Sequence, residues 1–169
     1  MEKVILVDKE DKEIGFEEKS KVHKKGLLHR AFSILIFNQK GEILIQKRAK
    51  RKSFPRLWSN TCCSHPRPKE DLLKAAKRRL KEEMGFETEL FEIFSFKYKA
   101  QWKNYIENEI DHVFYGKFEG SLKINKKEVE SFKWMKIKNL KKDIAKNPQK
   151  YTPWFVKIFK NAERFKNLL

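Results

Sequence analysis

At 169 residues, with 40% hydrophobic content and 14 Phe, the chain has the size of one ordinary domain and enough apolar mass for a sizeable core. A net charge of +17 raises nucleic acid or an anionic surface as partners, but the lysines are scattered among Glu and apolar residues rather than gathered in a block, the pattern of a solvated surface suited to a multiply anionic small molecule. No stretch approaches the roughly eighteen apolar residues a membrane span needs, and Met1–Lys12 holds no signal-peptide core, so membrane insertion and export are not expected.

In chain order, Val4–Asp8 and Glu13–Glu17 read as short strands joined by the charged turn Lys9–Lys12. Ala31–Phe37 is a nearly continuous apolar run, the mark of a buried strand, and Asn38-Gln39-Lys40-Gly41 turns it back into a second arm, Glu42–Lys47. The only two cysteines, Cys62 and Cys63, are adjacent, and alpha carbons about 3.8 Å apart are too close for an unstrained disulfide. Free thiols and a reducing cytoplasm follow. From Lys69 to Met84 the residues Leu72, Leu73, Ala76, Leu80 and Met84 recur at helical spacing, with acids in the first turn and Gly85 just past the end. Phe91–Lys99, Ile110–Phe118 and Val129–Met135 read as strands, and Thr152–Leu169 as an amphipathic helix behind Pro153. No repeat or linker divides the chain, so residues 1–169 are expected to form one domain of the α/β (α+β) class, a mixed β-sheet layered with helices.

The sharpest chemical signal follows the cysteines: Ser64, five residues, Glu70, seven residues, then Arg78-Arg79-Leu80-Lys81-Glu82-Glu83-Met84-Gly85-Phe86. This resembles the Nudix box, whose pattern has Gly at the position of Ser64 and Glu at that of Arg79. In Nudix hydrolases that missing carboxylate helps hold divalent metals on a diphosphate, whereas an Arg there neutralises phosphate directly. The flanking segments Trp58-Ser59-Asn60-Thr61-Cys62-Cys63-Ser64-His65-Pro66 and Tyr105-Ile106-Glu107-Asn108-Glu109-Ile110-Asp111 resemble elements of the type I isopentenyl-diphosphate isomerase family. Lys19 with His23, His29-Arg30-Ala31-Phe32-Ser33, Lys47-Arg48-Ala49 and Thr152-Pro153-Trp154 extend the match in order along nearly the whole chain. The resemblance implies a Nudix-like α/β/α sandwich.

Asn108 separates Glu107 from Glu109, so on a strand both carboxylates leave the same face and can converge on one ion. The imidazoles of His23, His29 and His65 would complete a set suited to Zn, Mn or Mg. Six extended residues span about 20 Å, so the chain must fold back between His23 and His29, with Lys24-Lys25-Gly26 as the turn. His112 has no ligand role in this pattern and is expected to be structural.

The resemblance further implies that Cys63 and Glu109 are an acid/base pair on opposite faces of an alkene, with Glu109 also at the metal. It implies that Tyr98 relays or orients a proton, and that Trp154 turns its ring toward a developing cation. Cys62 is expected to be a small apolar wall residue. Lys19, Arg48, Arg51, Lys52 and Arg79 are expected around the diphosphate, with Glu83 holding a second ion, Mg, against phosphate oxygens. Arg51 and Lys52 sit in a loop one residue shorter than is usual in the bacterial form of the family. The implied activity is cytoplasmic interconversion of isopentenyl and dimethylallyl diphosphate, without a redox cofactor, nucleic acid or membrane partner, by a monomer or weak dimer. The competing readings are a Nudix hydrolase of nucleoside diphosphate derivatives, opposed by Arg79 and the Cys63, His65, Glu107 and Glu109 set, and a basic RNA-binding module, which would need aromatic and basic residues interleaved on one sheet face.

Overall fold

The computed structural model describes residues 1–164. The strands are β1 (Lys3–Val7), β2 (Glu13–Glu18), β3 (His29–Phe37), β4 (Glu42–Arg48), β5 (Trp58–Ser59), β6 (Cys62–Ser64), β7 (Phe91–Trp102), β8 (Tyr105–Lys117) and β9 (Val129–Lys136). The helices are α1 (Lys19–Lys25), α2 (Leu72–Met84), α3 (Ile137–Lys146) and α4 (Pro153–Lys160), with a 3-10 turn over Pro148–Lys150.

β3 is the hub. Along its whole length it pairs in parallel with β8. Its other edge is shared by β1 at His29, β6 over Phe32–Ile34 and β4 at Ile36 and Phe37. β7 pairs with β8, and β9 with β4, so the sheet is mixed. Because side chains alternate across a strand, β3 feeds two cores. Phe32, Ile34 and Ile36 meet Ala75, Ala76, Leu80 and Met84 of α2. Leu35 and Phe37 meet Leu140 and Ile144 of α3 and Phe155 and Ile158 of α4. Helices on both faces of a mixed sheet give the expected layered α/β arrangement.

The same alternation separates the two cysteines. Cys62, fully buried, belongs to the α2 side, whereas Cys63 is half-buried and packs toward the α4 side. Both are free.

Several local expectations need correction. The helix expected from Lys69 starts at Leu72, because Lys69 is left-handed at φ 64° and Asp71 caps the helix by accepting from the Lys74 amide. Its first turn therefore carries no acid, and Leu73 is partly exposed while Ala75 takes its place in the core. The fold-back before His29 is a helix, α1, and not only a turn; Gly26 ends it at φ 65°. β7 continues to Trp102 and β8 begins at Tyr105, so a tight hairpin brings the Glu107–Glu109 segment fully into the sheet. The strands β5 and β6 and helix α3 have no counterpart in the sequence expectations. Helix α4 ends at Lys160, and residues 165–169 of the longer helix expected there lie outside the described residues.

Candidate active site

Register assembles the site. His29 is opposite Glu109 in the β3–β8 pair, and Glu109 is opposite Tyr98 in the β8–β7 pair, so His29, Glu109 and Tyr98 form one row across the sheet. Ser33 is opposite Cys63 in the β3–β6 pair. Helix α1 is docked on β8 by Asn108, whose Nδ2 donates to the Gly26 carbonyl at 2.9 Å. This carries His23 onto the row.

The result is a buried cluster of His23, His29, His65, Glu107 and Glu109, with one ligand atom of each within 4.8 Å of the others. Two of the imidazoles have fixed tautomers. His23 Nδ1 lies 2.7 Å from the Lys19 carbonyl and His29 Nδ1 lies 2.9 Å from that of Leu27. A carbonyl only accepts, so both Nδ1 atoms carry hydrogen and both Nε2 atoms turn inward, where a neutral ring would offer its lone pair to a cation. Glu109 Oε1 lies 2.8 Å from His65 Nε2 and 3.2 Å from His29 Nε2, while Oε2 accepts from the Tyr98 hydroxyl. His23 Nε2 and Glu107 Oε2 are buried, 3.2 Å apart, and have no hydrogen-bond partner. Nitrogen and carboxylate atoms left unsatisfied at the centre of a buried cluster fit a divalent cation.

The charges follow from this packing. Burial alone would raise Glu109, but hydrogen bonds from His29 and Tyr98 hold it down at about 2. Its neighbour Glu107 is pushed up by burial and by the Glu109 charge. Burial pushes the Tyr98 phenol well up, the charge of Glu109 adding to it, so it remains a donor. Burial raises the Cys63 thiol to about 12, despite the nearby Arg48 guanidinium.

A pocket of about 440 Å³ opens over the cluster, and Cys63, His65, Tyr98, Glu107, Glu109 and Trp154 all line it. Lys19, Arg48, Arg51, Lys52 and Lys127 form its cationic part. Trp154 is held by a bond from its Nε1 to Asn60 Oδ1 at 3.1 Å, and the Arg48 guanidinium lies 5.1 Å from its ring centroid. Arg48 is also anchored to Ser53, through Nε to the carbonyl at 2.8 Å and Nη2 to Oγ at 3.1 Å, leaving Nη1 3.5 Å from Cys63 Sγ.

Residues 27–155 match the NUDIX domain family. An isopentenyl-diphosphate Delta-isomerase of Serratia proteamaculans (strain 568) is 46% identical over 162 residues, covering 95% of this chain and 90% of its own length. Isopentenyl-diphosphate Delta-isomerase 1 of Aromatoleum aromaticum (strain DSM 19018 / LMG 30748 / EbN1) is 49% identical over 155 residues, covering 90% and 88%. The chain belongs to the isopentenyl-diphosphate Delta-isomerase family. Its fold is shared more widely: a crystal structure of a Deinococcus radiodurans protein superposes with a TM-score of 0.72 at 17% identity, covering 86% of this chain and 90% of that one. The MutT protein from Methanosarcina mazei Go1 does so with a TM-score of 0.67 at 20% identity, covering 81% and 94%.

Two family positions stand apart from the rest. Arg79 and Glu83 do not line the pocket. They bind each other, Arg79 Nη2 donating to Glu83 Oε1 at 2.6 Å, while Gln46 donates to Glu83 Oε2 at 3.0 Å. Outside the site, His112 sits between Glu92 and Asp11 at 2.6 and 2.8 Å, the structural role expected of it. Cys62 is an apolar wall residue of the α2 core. Sequence reasoning passed over Tyr105, Ser53, Asn125, Lys127 and Glu128, all of which line the pocket. Tyr105 had a signal, since it stands two positions before Glu107 of the Glu-Asn-Glu element; the others lie on loops brought in by tertiary packing.

Proposed function

We propose that the chain interconverts isopentenyl diphosphate and dimethylallyl diphosphate as a metal-dependent isomerase. The observation that carries this reading is the meeting of Cys63 and Glu109 in one pocket that also holds Tyr98, Trp154 and a set of cations. Protonating the terminal carbon of the alkene produces a tertiary carbocation, and loss of a proton from the carbon on the other side of that centre completes the allylic shift. One of Cys63 and Glu109 delivers the first proton and the other removes the second. Their roles exchange in the reverse direction. Tyr98, donating to Glu109, orients that carboxyl group. Trp154 turns a π face toward the cation, an attraction worth about 2 kcal/mol when desolvated.

Lys19, Arg48, Arg51 and Lys52 would hold the diphosphate, and Arg79 would join them by exchanging Glu83 for a phosphate oxygen. That exchange would free the Glu83 carboxylate for Mg brought in with the substrate. A divalent ion, Zn, Mn or Mg, held by His23, His29, His65, Glu107 and Glu109, would supply positive charge that fixes Glu109 beside the substrate. The reading needs no redox cofactor, nucleic acid or membrane, and places a monomer or weak dimer in the cytoplasm. No helix of the described residues is long and apolar enough to cross a membrane.

The test is to incubate metal-replete protein with isopentenyl diphosphate in heavy water. The expected result is deuterium in recovered substrate and formation of the allylic product. Both should be lost in Cys63→Ala with diphosphate binding retained, since one acid/base group contributes about 10² to 10⁴ in rate. Wild-type protein that exchanges no proton would overturn the assignment, and a Cys63→Ala variant with near-normal turnover would remove the thiol from it.

A further inference from the structure

Tyr105 lies at the start of β8 and lines the pocket. Its ring is stacked on that of His23, with centroids 4.1 Å apart and planes inclined by 20°. On the His23 ring, Nδ1 is bound to the Lys19 carbonyl at 2.7 Å, while Nε2 faces Glu107 at 3.2 Å without a hydrogen bond. The other histidines of the cluster meet His23 edgewise or obliquely, at 4.8 and 5.4 Å between centroids. Tyr105 therefore supplies the parallel contact that resists rotation of the ring out of the cluster.

We propose that Tyr105 is a positioning residue whose ring holds His23 in the metal-binding orientation. This inference does not need the isomerase reading. Helix α1 has its own attachment to β8, through Asn108 to the Gly26 carbonyl and through close packing of Gly26 on Ile106. A change at Tyr105 therefore leaves the backbone that carries His23 in place.

The experiment compares wild type, Tyr105→Phe and Tyr105→Leu, each stripped of metal and checked for folding by circular dichroism. Zinc affinity is measured by competition with a chromogenic chelator. Tyr105→Phe keeps the stacked ring, so its zinc affinity should match wild type. Tyr105→Leu should weaken zinc binding by about tenfold, the scale of losing an outer partner of a metal ligand. Wild-type zinc affinity in Tyr105→Leu overturns the proposal. If Tyr105→Leu does not fold, a loss of zinc affinity in Tyr105→Phe would itself overturn the role assigned to the ring. Should wild type lack isomerase activity, the proposed function fails while the zinc comparison still decides the role of the ring.

Discussion

Asp111 offers a direct measure of what the buried carboxylates cost the fold. It follows Glu109 by two positions on β8, is 1% exposed, and accepts a hydrogen bond at Oδ2 from Ser33 Oγ at 2.7 Å. Its Oδ1 has no partner. Burial raises its pKa well above the usual aspartate value, and the charge of Glu109 adds to the effect. In the unfolded chain the same group titrates near about 3.9. Between the unfolded and the folded pKa the native protein keeps a proton that the unfolded chain has released, so stability attributable to Asp111 is full below the unfolded value and declines as pH rises. The decline is about 1.4 kcal/mol per pH unit. Asp111→Asn cannot titrate and removes this contribution alone. The difference in unfolding free energy between wild type and Asp111→Asn, from urea titrations of metal-free protein at about pH 5 and about pH 6, should therefore shift in favour of the variant at the higher pH, by up to about 1.4 kcal/mol. The absolute stability of the variant does not matter, because only the change with pH is read. A difference that is the same at both pH values would mean that Asp111 is ionised in the fold, and the argument from burial would be wrong.

Two further predictions concern the cysteines and the cap of α2. Because the Cys63 thiol is raised to about 12, its alkylation by iodoacetamide in substrate-free protein should climb steadily from about pH 8 to about pH 10 rather than level off near the ordinary thiol value of about 8.5. Mass spectrometry should find fully buried Cys62 unmodified, and a plateau near pH 9 would show that Cys63 is far more acidic than its surroundings imply. Gly85 ends α2 at φ 79°, and a Cβ there would lie 2.3 Å from the Lys123 carbonyl oxygen. Gly85→Ala should lose at least about 2 kcal/mol in chemical denaturation, about 1 to 2 kcal/mol from the left-handed backbone and the rest from displacing Lys123; a loss below about 1 kcal/mol would contradict both contacts.

The amino-acid sequence by itself determined the major strands, the helix that carries Arg78–Glu83, the C-terminal amphipathic helix and the pair Glu107 and Glu109 that joins the buried His/Glu cluster. Each is written locally: an apolar run closed by a turn at Gly41, helical spacing ended by Gly85, two carboxylates one residue apart. The short strands β5 and β6 were not legible, because two or three residues carry no period. Of helix α1 only its closing turn at Lys24-Lys25-Gly26 was legible, since its seven residues are mostly lysine and serine and become a helix by packing Val22 and His23 against the sheet.

Only the tertiary structure decided how distant residues meet. The parallel register of β3 and β8 sets His29 beside Glu109, and the bulged β7–β8 hairpin sets Tyr98 on its other side. That Arg79 occupies Glu83 and that Tyr105 covers His23 are likewise facts of three-dimensional packing. Local pattern encodes which face a side chain takes along its own strand. It does not encode the pairing partner, because a neighbour many residues away is selected by the fit of the whole sheet and its two cores.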